Sequence, residues 1–119
     1  MLCQFTFKNF KSYRDETVFD FQAAKLAEFS DSLISAGASR SLLPVSVIYG
    51  PNGGGKSNVI DALSSLIALV MRPVIELSNR PAENLGMLNT HKIRPFAFSE
   101  TSKNEPTVFS VFFIAGDSE

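Results

Sequence analysis

The sequence predicts an α/β fold in which antiparallel strands at both ends enclose one strand–loop–helix unit. Three observations predict it. Aromatic and polar residues alternate near the N-terminus (LCQFTFKNF at 2–10, TVFDF at 17–21) and again in the tail (TVFSVFFIA at 107–115). A short β-branched run, VSVIY at 45–49, sits between Pro44 and Gly50. Directly after it, a glycine-rich loop leads into a long segment with apolar residues at helical spacing.

The elements follow in order. Segment 2–10 reads as a strand whose Phe5, Phe7 and, after a shift, Phe10 form one aromatic face. The polar KSYRDE stretch (11–16) is a turn, and 17–21 returns as a second strand, with Phe19 and Phe21 in phase and Val18 opposite. The two are expected to pair antiparallel. In 22–43, Ala23, Ala24, Leu26, Ala27 and Phe29 suggest a short helix, and the serine- and glycine-rich remainder suggests a loop. This segment is expected to be an insertion or mobile segment. The run 45–49 is apolar on both faces, as expected of a strand inside a parallel sheet. Val59, Leu63, Leu66, Ile67 and Val70 then mark one face of a helix over 56–71, which Pro73 should end or kink. Residues 74–92 should be irregular with a helical turn. Two further strands are expected at 93–99 and 107–115, separated by the turn-rich ETSKNEP.

Composition narrows the class. The 119 residues are 45% hydrophobic and 19% charged, which suits one folded domain and not a disordered chain. Eleven Lys+Arg against twelve Asp+Glu give a net charge of −1, which excludes bulk electrostatic attraction to nucleic acid but not a local basic patch. The single cysteine, Cys3, excludes an internal disulfide framework, fits a reducing compartment, and is expected as a small buried residue on the first strand. No basic segment followed by an apolar run opens the chain, so no signal peptide is expected. The longest apolar run, 66–71, is far shorter than the ~20 residues that span a bilayer. A cytoplasmic location without membrane association follows as an expectation.

The chemistry is concentrated in Gly50-Pro51-Asn52-Gly53-Gly54-Gly55-Lys56-Ser57, which satisfies G-x-x-x-x-G-K-[ST] at every fixed position. Glycines allow positive φ and close backbone approach, so that successive N–H groups share one concavity suited to phosphate. The helix that starts there adds its positive dipole end. Lys56 supplies a mobile cation for the β- and γ-phosphates, and the Ser57 hydroxyl can ligate Mg²⁺. The ATP phosphates are thus expected at Gly50, Asn52, Gly53, Gly54, Gly55, Lys56, Ser57 and Asn58, with Asn58 near the Mg²⁺ shell. A plain glycine-rich turn would require neither Lys56 nor Ser57.

The stretch FKNFKSYRDETVFDF, followed by VIYGPNGGGKSNVIDAL, resembles the N-terminal half of SMC/RecF/RecN-like ABC-type ATPase heads. In particular it is similar to bacterial AAA-family ATP-binding proteins related to the OLD ATPases, many of them in phage defence. The resemblance implies a P-loop NTPase fold, the N-terminal portion of an ABC-ATPase-like head with an antiparallel β lobe. Residues 1–119 would form the first part of one ATPase domain whose remaining strands lie elsewhere. It also implies ATP and Mg²⁺ as ligands, and a homodimer or higher oligomer formed through the heads. DNA or a nuclease-type effector is the further partner it implies, in DNA maintenance, DNA repair or phage defence. The turn after the first strand lies near the nucleotide in that family, so Lys11, Tyr13 or Arg14 could touch phosphate, ribose or base; the alternative is a solvated turn. Asp61 is expected at a surface or interface.

Two family features are absent from the sequence. No apolar strand runs directly into Asp-Glu; in VFFIAGDSE, Gly116 and Ser118 interrupt, so Asp117 and Glu119 read as part of a hairpin turn. No LSGG-type signature is present, and the lone His91 has no acidic neighbour in sequence and reads as a surface residue. The intact protein is therefore expected to hydrolyse ATP and this chain alone to be inactive. The alternative is a nucleotide-gated interaction module that binds without turnover and docks an effector such as a nuclease.

Overall fold

In the computed structural model, the described residues are 1–24, 30–36, 41–77 and 93–115. The centre is a three-stranded antiparallel sheet of β1 (Leu2–Lys8), β2 (Thr17–Asp20) and β5 (Val108–Phe113), in the order β2-β1-β5. Phe5 lies opposite Phe19 on one side and Val111 on the other; Phe7 lies opposite Thr17 and Phe109. Directly opposed residues share a face, so the aromatic alternation of all three strands adds up on one side of the sheet.

That face is the core. Phe5, Phe7 and Phe10 are buried together with Val59 and Ala62 of α1 (Lys56–Leu77). Phe19, Phe109, Tyr13, Leu63 and Leu66 pack around them. The rings meet in offset-stacked and edge-on pairs, Phe5–Phe7 at 5.4 Å and Phe7–Phe10 at 6.2 Å and 82°, the arrangements that the ring quadrupole favours.

A register shift between Leu2 and Gln4 marks a bulge in β1. Cys3, buried as expected, joins Ala36 and Leu42 in a second cluster against Ile114. Ala36 follows β3 (Ile34–Ser35), and Leu42 belongs to β4 (Ser41–Leu42), which pairs with β3 antiparallel. Backbone bonds from Phe21 N to Cys3 O, Ala23 N to Ser41 O and Leu43 N to Phe21 O join this ribbon to the sheet. Segment 22–43 thus contributes buried side chains at Ala36 and Leu42; its expected helix falls largely on residues outside the described ones.

Three expectations are corrected. Residues 45–49 form no strand, and Val45, Val47 and Tyr49 are 71, 78 and 91% exposed. A strand exists only where a neighbour takes its N–H and C=O groups, and no described strand lies beside this one. Accordingly, every described pairing is antiparallel, and no described strand forms the parallel sheet expected around 45–49. Residues 93–99 are likewise non-strand: 97–98 turn, and Pro95 withholds a ladder donor. Third, Pro73, expected to end or kink the helix, does not end it: α1 runs on to Leu77, so 74–77 of the stretch expected to be irregular are helical, and 78–92 lie outside the described residues. Proline removes one N–H donor, a local cost that the helical residues on either side outweigh.

By length and composition alone, Lys56–Val74 of α1 could cross a membrane, with mean hydropathy 1.3. Its Val59, Ala62 and Leu63 instead pack against the phenylalanine face, while Ile60, Ile67, Val70 and Val74 are exposed.

Candidate functional site

The glycine-rich loop sits where the exposed 45–49 segment meets the start of α1. Gly53 and Gly55 adopt φ of 81° and 85°, the left-handed region that costs other residues about 1–2 kcal/mol. Gly55 is required twice over. A Cβ there would lie 2.8 Å from Ser12 Oγ and 3.3 Å from the Tyr13 ring. Around Gly53 there is open space, and Gly54 packs only against Pro51, whose carbonyl accepts from Gly54 N at 3.1 Å.

Asn52, Gly53, Gly55, Lys56, Ser57 and Asn58 line one open cleft of about 290 Å³. The first N–H groups of a helix have no carbonyl within it. Asn58 N finds Gly55 O at 2.9 Å, whereas Lys56 and Ser57 open the helix at the cleft wall. Lys56 Nζ donates to Gly50 O and Pro51 O, both at 2.7 Å, so its ammonium is held over the loop by two carbonyls of the loop itself. Phosphate oxygens offer the same ammonium charge-assisted acceptors, which bind more strongly than neutral carbonyls.

The turn after β1 closes the other side. Phe10 and Tyr13 exchange backbone hydrogen bonds at 2.8 and 2.9 Å. Tyr13 donates to Gly55 O at 3.4 Å, and Asn58 Nδ2 donates to Ser12 Oγ at 2.8 Å. Lys11 is ion-paired with Asp61 on the second turn of α1 and lies over the Phe10 ring. Arg14 is exposed, and its carbonyl accepts from Asn9 N. Of the three turn residues expected near a nucleotide, Tyr13 touches the loop directly, Lys11 reaches α1, and Arg14 does neither.

Asn9 and Ser12 escaped the sequence reading of the site, and Asp61, expected at a surface or interface, is instead the ion-pair partner of Lys11. Asn9 is fully buried with φ of 54°. Its Nδ2 donates to Ser102 O and Glu105 O, both at 2.8 Å, and its Oδ1 accepts from Phe96 N at 2.9 Å. Its carbonyl accepts from Thr107 Oγ1 at 2.7 Å. The available signal was an asparagine between an alternating strand and a turn, because asparagine tolerates the left-handed conformation better than most residues.

The donor set fits a polyphosphate: two left-handed glycines, a helix start and a lysine ammonium converge on one cleft. For a divalent ion, the loop offers the Ser57 hydroxyl as a single oxygen at the cleft wall, so phosphate oxygens and water would have to supply the other positions. Among the described residues, no group of His, Cys, Asp and Glu is clustered to hold a metal by itself. His91, Asp117 and Glu119 lie outside the described residues.

The family comparison agrees with this chemistry. The sequence matches the AAA domain family over residues 4–114, nearly its whole length, and the chain belongs to that family. Membership makes it a P-loop ATPase-type protein with a nucleotide-binding role. No curated protein and no solved structure matches the chain.

Proposed function

We propose that the 50–57 loop is a Walker A element that binds the phosphates of ATP together with Mg²⁺. The observation that carries this is the pair of left-handed glycines with Lys56 Nζ already poised over the loop carbonyls at the mouth of α1. Gly50, Asn52, Gly53, Gly54 and Gly55 shape the cradle. Lys56 trades its two carbonyl partners for β- and γ-phosphate oxygens, and Ser57 offers its hydroxyl to Mg²⁺. Bound Mg²⁺ neutralises phosphate charge. The resemblance in NFKSY and GPNGGGKSN supports an SMC/RecF/OLD-like subtype acting in the cytoplasm on DNA maintenance, DNA repair or phage defence, as a dimer of heads.

Calorimetric titration of the folded Lys56→Ala variant with ATP tests the assignment. A charge-assisted hydrogen bond contributes about 1.5–3 kcal/mol, so affinity should fall about tenfold or more. Unchanged affinity would remove the loop from nucleotide binding.

A second reading is favoured by the exposed apolar segment 45–49, which leads directly into the loop. In it, ATP binding without turnover controls docking of an effector on that segment. Turnover measured on the intact protein separates the two: hydrolysis abolished by Lys56→Ala supports the ATPase, and tight binding without hydrolysis supports the gate.

A further inference from the structure

We propose that the Phe10–Tyr13 turn is a strap that holds the phosphate loop in its binding shape, and that Ser12 on the turn and Asn58 on the first turn of α1 are the positioning residues that join the two. This rests on the reading that the loop binds nucleotide. It places Asn58 in a different role from a Mg²⁺-shell or phosphate contact.

The strap is anchored firmly on the side away from the loop. Its two ends exchange backbone hydrogen bonds, and Lys11 N donates to Arg94 O at 2.8 Å. The Tyr13 ring stands edge-on to buried Phe7, with centroids 5.0 Å apart at 81°. Asn9, immediately before the turn, is buried and fully bonded. The loop's own support is thinner: Asn52, Gly53 and Gly54 are exposed, and its internal bonds are those from Gly54 N to Pro51 O and from the Lys56 ammonium to Gly50 O and Pro51 O.

Three contacts join strap to loop. Asn58 Nδ2 donates to Ser12 Oγ, Tyr13 donates to Gly55 O, and the Gly55 backbone comes so close that a Cβ there would meet Ser12 Oγ at 2.8 Å and the Tyr13 ring at 3.3 Å. The Lys11–Asp61 ion pair ties the same turn to α1 one turn further on. A cradle that must present several N–H groups at once binds in proportion to the time it spends in the right shape. Three consecutive loop glycines give that shape a large entropy cost, which a rigid wall at Gly55 lowers.

The test is calorimetry on the full chain with two probes, ATP and inorganic tripolyphosphate, each with and without Mg²⁺. Ser12→Ala and Asn58→Ala should each raise Kd about two- to tenfold, the range of one neutral hydrogen bond. The loss should be equal for both probes and independent of Mg²⁺. The double variant should lose no more than the worse single one, because both remove the same bond. Ser12→Thr, which keeps the hydroxyl, should restore affinity. A loss confined to ATP would show direct contact with the nucleoside and overturn the strap. So would a loss confined to Mg²⁺, additive losses, or no loss. Lys56→Ala serves as the reference. If it abolishes binding while the Ser12 and Asn58 variants bind normally, the strap alone fails; if it changes nothing, the nucleotide reading fails and the strap with it.

Discussion

Segments 2–8 and 45–49 are both short, apolar-rich and strand-like in sequence, yet their fates differ. The first pairs on both edges and buries Cys3, Phe5 and Phe7 at 0, 2 and 0% exposure. The second pairs with no described strand, and Tyr49 is 91% exposed. The contrast teaches that β-branched composition makes a strand possible and that partners make it real. Strand 2–8 finds its partners at Thr17–Asp20 and Val108–Phe113, whereas 45–49 would need strands that these elements do not supply.

The sharpest way to break the comparison is to truncate one side chain in each segment. Phe7→Ala removes a ring in contact with Phe5, Phe10, Tyr13 and Phe19, and should cost about 3–5 kcal/mol in denaturant unfolding. Val47→Ala should change stability by less than about 0.5 kcal/mol. A large cost at Val47 would mean that the segment is covered in solution. Light scattering across a dilution series then becomes decisive. We expect concentration-dependent self-association, because an exposed apolar segment that pairs with no described strand invites another chain. A monodisperse monomer with strongly protected amides at 45–49 would refute it.

Asn9→Ala should come next, at about 2–4 kcal/mol, because it strands Ser102 O, Glu105 O and Phe96 N without their partner. A cost below about 1 kcal/mol would show that water replaces the side chain. The loop glycines give a graded series in ATP affinity and stability. Gly55→Ala should be the most damaging, since it combines left-handed strain with a clash at Ser12 and Tyr13. Gly53→Ala should cost only the strain, about 1–2 kcal/mol. Gly54→Ala should be mildest, needing a few tenths of an ångström from Pro51. Any other order would mean that the loop shape in solution differs. A small effect should come from Asp61→Asn. Its ion pair with Lys11 is about one-third exposed, so about 0.2–1 kcal/mol is expected, shrinking with added salt.

Local sequence patterns sufficed for the glycine-rich loop, the helix after it, the antiparallel pairing of the first two strands and the burial of Cys3. Each rests on information within a few residues: a motif of fixed spacing, a 3.6-residue period, a two-residue alternation. Tertiary structure alone decided three things. It seated Val108–Phe113 beside β1 across more than ninety intervening residues, a choice that depends on face complementarity and not on either strand alone. It left 45–49 exposed, because pairing is a property of neighbours. And it brought Ser12 against the loop, Asp61 against Lys11, and Asn9 into bonds with Phe96, Ser102 and Glu105. Their roles come from bonds to residues up to 96 positions away, for Asn9 to Glu105, and no local pattern records a partner at that distance.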